Sequence, residues 1–162
     1  MKRTVLALAM LTMPFAANAQ WVSATDEDPM TDEKTAILFG GTDSKYALGF
    51  KCWEKNPSST LVIFETGDTY KDENSYPKTI DIVIRVDKGE RRTFSLYPKK
   101  SANGSLQLLN DADEIPAILT VIKEIGSAKT HVALAVADQI ITIPAKGSSI
   151  NTAKFLKTCS ID

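Results

Sequence analysis

The stretch Thr79–Asp87, TIDIVIRVD, decides the fold class. Ile80, Ile82, Ile84 and Val86 project to one side, and Asp81, Val83, Arg85 and Asp87 to the other. A period of two marks a strand with one face in a core. Lys88-Gly89 then reads as a hairpin turn and Arg92–Tyr97 as the return strand. Upstream, Trp21–Thr25, Lys34–Phe39 and Tyr46–Trp53 read as strands, the last with Tyr46, Leu48, Phe50 and Cys52 on one face. Asn56–Ser59 reads as a turn. Thr60–Glu65 is a continuous apolar run, as in a strand covered on both faces. Gly67–Pro77 is polar and rich in turn formers, so it is the longest expected loop. Downstream, Asn103-Gly104 is a turn signal before a short strand, Ser105–Leu109.

The period then changes. Within Asp111–Ile125, the residues Ile115, Ile118, Leu119, Ile122 and Ile125 recur at helical spacing, with Pro116 in the first turn and Gly126 as a stop. Thr130–Val136 and Gln139–Ile143 read as a hairpin around Ala137-Asp138. Ser148-Ser149 reads as the cap of a last helix, Ile150–Lys157, which delivers Cys159 to the core. Strands spaced by about 10–15 residues favour an antiparallel β-sandwich or a barrel-like domain. The expected fold is therefore mainly β, with two short helices toward the C-terminus.

Residues 1–19 are expected to lie outside that domain. Lys2 and Arg3 form a positive start, Thr4–Met13 an apolar run, and Ala17-Asn18-Ala19 a small-residue cleavage box. The apolar run is too short to span a bilayer, which takes about 20 residues. The sequence thus reads as a cleaved signal peptide, 1–19, followed by a single periplasmic β-rich domain, 20–162. Gln20, not Cys, follows the cut, so no lipid is expected at the mature N-terminus. No later apolar run is long enough for a stable membrane span. The mature chain of roughly 140 residues can bury about two thirds of its unfolded surface, enough for a real core.

Of the 162 residues, 43% are apolar and 24% charged, with 19 Lys and Arg against 20 Asp and Glu. With no basic excess to neutralise a phosphate backbone, nucleic-acid binding is not expected. One His and two Cys exclude a zinc finger or an iron–sulfur centre, and no cofactor is expected. Cys52 and Cys159 are both in the mature chain. In an oxidising compartment they are most simply one disulfide, joining an early strand to the C-terminus.

Few groups are available for catalysis. His131, the only imidazole, sits in a β-type run, THVALAV, and no G-x-S-x-G elbow is present. Asp26, Glu27, Asp28, Asp32 and Glu33 cluster without calcium-loop spacing, so no metal site is assigned. A carboxylate pair assembled by the fold is the one open catalytic route. Arg85 and Asp87 share a strand face, as a structural ion pair or as a face that receives a ligand. Lys88, Arg91 and Arg92 make a small basic turn, either a solvated hairpin tip or a contact for an acidic partner. Trp21 is large and apolar where termini are usually loose, so it is expected to be packed. Asn103-Gly104-Ser105 is read as a turn rather than a glycan site.

Trp21, Asp28-Pro29-Met30-Thr31-Asp32, Cys52, Arg85-Val86-Asp87, Gly147 and Cys159 follow one another along the chain. That order resembles the VasI-like (TagO-like) periplasmic proteins associated with bacterial type VI secretion. The resemblance implies an accessory, non-catalytic envelope protein. Together the readings point to an exported binding module with a protein or cell-envelope partner. The alternative is a secreted inhibitor or effector acting on a foreign protein or the cell wall. The first expected outcome concerns export: intact mass of the exported protein should correspond to a chain beginning at Gln20. A mass that retains residues 1–19 refutes the leader assignment.

Overall fold

A computed structural model describes residues 20–42, 45–110 and 115–161, so the expected leader lies outside the described residues. The strands are β1 (Trp21–Glu27), β2 (Lys34–Gly41), β3 (Ala47–Trp53), β4 (Asn56–Thr69), β5 (Ile80–Val86), β6 (Arg91–Lys100), β7 (Ser105–Leu109), β8 (His131–Val136) and β9 (Gln139–Pro144). The helices are α1 (Ile115–Gly126) and α2 (Ser148–Thr158). All strands belong to one antiparallel sheet, in the order β1-β2-β3-β4-β7-β6-β5-β8-β9, curled into a half-barrel. The barrel-like alternative is therefore the observed one.

The pleat explains the curl. Apart from Ala47 and Gly49 of β3, the buried strand residues lie on one face, and register aligns them across the sheet. Ala36 faces Cys52 and Leu38 faces Phe50 between β2 and β3. Leu48 faces Phe64, which faces Leu108 in turn. Ile82 faces Phe94 on one side and Val136 on the other, and Leu134 faces Ile141. This concave apolar surface is covered by α1 against β4 and β5 and by α2 against β1 and β2, with the helices also touching each other. The α1 stripe is Ile118, Val121, Ile122 and Ile125, all buried. From α2 only Ser148, Thr152 and Phe155 are buried. Each large side chain so buried contributes about 1.5–3 kcal/mol relative to exposure.

Three expectations need correction. Asn56–Ser59 is not a turn. The reversal occurs at Glu54-Lys55, and β4 starts at Asn56, which pairs with Trp53. Nor is Gly67–Pro77 one loop. β4 runs on through Thr69 across a register shift after Glu65, and Glu73–Ser75 forms a 3-10 turn capped by Asp72. Finally, Ser148 does not cap α2. Gly147 occupies the N-cap with φ 80, and the Ser148 side chain is buried instead. Sequence patterning missed this because the backbone must take a left-handed conformation there, which Gly adopts without a Cβ penalty.

Trp21 is fully buried, as expected, and two glycines make its seat. A Cβ on Gly40, its partner across β1–β2, would lie 2.6 Å from the indole ring. A Cβ on Gly147 would lie 2.8 Å from the Trp21 carbonyl oxygen. The Trp21 N–H donates to the Lys146 carbonyl (2.9 Å), tying the start of β1 to the segment after β9. Asn151 of α2 then lies along the outer edge of β1. Its Nδ2 donates to the Trp21 carbonyl (2.9 Å), and its Oδ1 accepts from the Ser23 N–H (3.1 Å).

Cys52 and Cys159 form the disulfide, with Cα atoms 5.9 Å apart and both residues fully buried. It joins β3 to the end of α2 and closes a loop of 107 positions. Replacing Cys52 with Ala should lower unfolding stability by about 2–5 kcal/mol, read from the denaturant midpoint. A midpoint equal to that of the wild type would show that the bridge does not constrain the fold.

Candidate functional site

The sequence singles out the β5–β6 hairpin, and the structure shows what its charged residues touch. Asp87 follows β5 with φ 49, so the chain turns sharply at this residue. Its N–H donates to the His131 carbonyl (2.9 Å). Its carboxylate faces the start of β8 and accepts four hydrogen bonds there. Oδ2 accepts from the Lys129 N–H (2.7 Å), and Oδ1 from the N–H groups of Thr130 (2.8 Å) and His131 (3.0 Å). The Thr130 hydroxyl also donates to Oδ1 (2.6 Å). That hydroxyl first, and then the three backbone N–H groups, hold the Asp87 carboxyl far below the usual carboxylate range.

The expected Arg85–Asp87 ion pair is not formed. Arg85 folds back onto its own turn, with Nε donating to the Gly89 carbonyl (2.9 Å) and Nη2 to the Lys88 carbonyl (3.2 Å). Backbone dipoles satisfy both charges, so the two side chains stabilise the hairpin separately. Asp87 latches β5 to β8, and Arg85 rigidifies the tip.

The basic turn is split by strand parity. Ile84 lies opposite Arg92 and Arg85 opposite Arg91, so the two arginines of β6 project to different faces. Arg92 turns toward α1 and pairs with Glu124 (2.9 Å) and with Glu90 (3.0 Å), and this holds its guanidinium more firmly in the charged form. Lys88 and Arg91 remain exposed on the outer side.

The fold brings Asp87 and His131 together through Thr130, an arrangement the sequence did not reveal because 43 positions separate Asp87 from Thr130. Thr130 Oγ1 lies 2.9 Å from His131 Nδ1. A threonine nucleophile would have to pass its proton to the imidazole. Here the Thr130 hydroxyl donates to Asp87 Oδ1, so its proton is directed away from the imidazole. The sequence carries no signal for this arrangement, because backbone N–H groups are common to nearly every residue and only the register of β5 against β8 brings three of them onto this carboxylate. The acidic residues around Asp28–Asp32 form an exposed turn, in which Asp28 Oδ1 accepts from the Met30 N–H (2.8 Å). Among the described residues, no three His, Cys, Asp or Glu side chains converge on one point that could hold a metal.

Two depressions flank β9. On the outer face, Val83, Ala133 and Ala135 floor a shallow hollow of about 320 Å³, rimmed by Arg85, Arg91 and Ile140. Ile140 is 80% exposed. Along the free edge of β9, a groove of about 400 Å³ separates Gln139, Ile140 and Thr142 from Thr42 and Tyr46. At one end the Tyr46 hydroxyl donates to Gln139 Oε1, bridging the groove, while the Tyr46 ring stacks on Phe64 with centroids 6.1 Å apart. No described helix is long and apolar enough to cross a membrane. Comparison with protein-family models, with characterised proteins and with solved structures gives no match.

The Asp87 latch carries a pH dependence of defined sign. Its folded-state carboxyl ionises at lower pH than an unfolded Asp, so its stabilisation is full above the unfolded value near 4 and fades as pH falls below it. Asp87→Asn keeps one acceptor oxygen but removes the charge. Its melting temperature should be clearly below wild type at pH 7, and the gap should narrow toward pH 2–3. A gap that is the same at both pH values would remove the carboxylate charge from the explanation.

Proposed function

We propose that the chain is an exported accessory protein of the bacterial periplasm that binds a protein or cell-envelope partner and does no chemistry. The observation that carries this reading is the division of labour among its side chains. Several of the groups the sequence offered for chemistry are occupied in holding the fold: the two cysteines in a buried bridge, Asp87 and Thr130 in the β5–β8 latch, Arg92 and Glu124 between sheet and helix. The surface left over is a contact surface, with Ile140 standing out between an arginine-rimmed hollow and an open strand edge. A long-range disulfide suits an oxidising compartment, in keeping with the leader read in residues 1–19.

An association with type VI secretion belongs to the same proposal and rests on the motif order. In the fold, those motif residues serve architecture. Trp21 and Gly147 touch each other, Cys52 and Cys159 are bonded, Asp28–Asp32 form a turn, and Arg85 and Asp87 brace a hairpin. The motif therefore speaks for a shared fold and leaves the partner to the exposed surface.

The test is affinity capture from native periplasm with the mature protein, alongside a screen against peptidoglycan, glycan and peptide substrates. Wild type and His131→Ala should capture the same partner, Ile140→Asp combined with Arg91→Glu should lose it, and no substrate should turn over. Turnover that disappears when a single Asp or Glu is changed, in a variant that still folds, overturns the binding reading.

A further inference from the structure

The two edges of the sheet are treated differently. The edge at β1 is covered over its first half, because Asn151 supplies a side-chain acceptor and donor to Ser23 and Trp21, and the strand ends in the charges of Asp26 and Glu27. Among the described residues, the edge at β9 has no such cover. In an antiparallel pair, alternate residues bond the neighbour and the rest point their N–H and C=O groups away. Ala145 donates to the Thr130 carbonyl (3.0 Å), and register then places Ile143, Ile141 and Gln139 in the bonded set. Ile140, Thr142 and Pro144 are the outward set. Nothing among the described residues pairs with the backbone of Ile140 or Thr142. The strand reads QIITIP and carries no charge. Natural edges are usually protected by lysines, bulges or covering loops, and β9 has only Pro144 at its end.

We propose that the edge of β9 is a strand-addition site for an extended, uncharged peptide segment of a partner protein. The proposal deepens the binding reading above and rests on it. Unpaired backbone N–H and C=O groups spaced two residues apart match another extended backbone, which supplies affinity, while alternate side-chain pockets supply selectivity. The groove between β9 and Thr42/Tyr46 gives such a strand a second wall. On its inner side, the groove shares Tyr46, Gln139 and Ile141 with a second cavity of about 300 Å³ at the mouth of the half-barrel. Phe64, Ile80 and Leu108 line that cavity beside the exposed Asp68 and Asp138, so an inward-facing apolar side chain of the peptide is the anchor that fits its apolar part. The uncharged strand favours an uncharged partner segment. A single extended chain suits this walled groove better than a second copy, whose sheet, paired edge to edge, would run into the wall at Thr42 and Tyr46.

The decisive variant is Thr142→Pro. The Thr142 N–H belongs to the outward set, so the substitution removes an edge donor without breaking a β8–β9 bond. Pro144 already occupies the same parity in this strand. The probe is a displayed library of random heptapeptides panned on the mature protein. Selected peptides should be uncharged with alternating apolar residues, and binding should slow amide exchange at Ile140 and Thr142. Methylating alternate backbone nitrogens of a selected peptide should abolish binding in one phase only. Thr142→Pro should bind roughly tenfold more weakly, or worse, while its melting temperature stays near wild type. Exchange protection placed elsewhere, undiminished binding by Thr142→Pro, or the absence of any selected peptide overturns the proposal. So does concentration-dependent dimerisation that Thr142→Pro removes, since the edge then pairs with a second copy. Capture of the periplasmic partner undiminished in Thr142→Pro would leave the binding reading standing and remove only the strand-addition site. If Thr142→Pro unfolds, the exchange map and the methylated peptides on wild type decide the matter alone.

Discussion

A curled sheet with one apolar face must have that face covered, and the rest of the molecule follows from this requirement. The cover on the β1–β2 side is α2, which has a weak apolar face of its own: Phe155 is its only large buried side chain. Its position is therefore imposed at its two ends. At the N-terminal end, Gly147 and Asn151 are fitted to the buried Trp21 strand, and at the C-terminal end Cys159 is bonded to Cys52 of β3. A helix that could not hold this site by hydrophobic burial alone is kept there by a left-handed glycine, a side-chain amide and a covalent bond. The helix α1 differs, since its stripe of Ile118, Val121, Ile122 and Ile125 is sufficient to seat it.

The same economy governs the charged residues. Asp87, Arg85 and Arg92 begin as a compact set on one hairpin, and each is directed to a different structural task. Asp87 terminates on the N–H groups that open β8, Arg85 on the carbonyls of its own turn, and Arg92 on Glu124 of α1. A carboxylate surrounded by backbone donors is a weak base, and this is why the Asp87–Thr130–His131 series lacks the polarity of a nucleophilic relay. Similarity of residue types to a catalytic triad carries little weight against the direction in which the protons run.

Function then depends on what the architecture leaves uncommitted. The sheet does not close, so it keeps two edges, and Asn151 of α2 covers the first half of the β1 edge. The strand addition proposed above rests on this difference between a half-covered, charged β1 edge and an uncharged β9 edge. The exposed Ile140 sits where the open edge meets the arginine-rimmed outer hollow.

Local features were largely legible in the sequence. The alternation of Thr79–Asp87, the helical spacing after Ile115, the Ala137-Asp138 turn and the packing of Trp21 all depend on neighbours a few residues away or on simple burial. The pairing of Cys52 with Cys159 also followed, because two cysteines allow one intrachain bridge. What the sequence misread were the limits of β4 and the cap of α2, where turn-forming residues were drawn into a strand by pairing and a glycine took the place expected of a serine. What it could not contain was any relation set by register. The partner of Asp87 lies more than 40 positions away, and whether Arg91 and Arg92 act together depends on which face each strand position meets. The order of the strands decides which edges exist at all. Backbone hydrogen bonding across β8 and β9 then decides which N–H groups of QIITIP point outward, because strand pairing assigns each backbone dipole to a neighbour or to solvent.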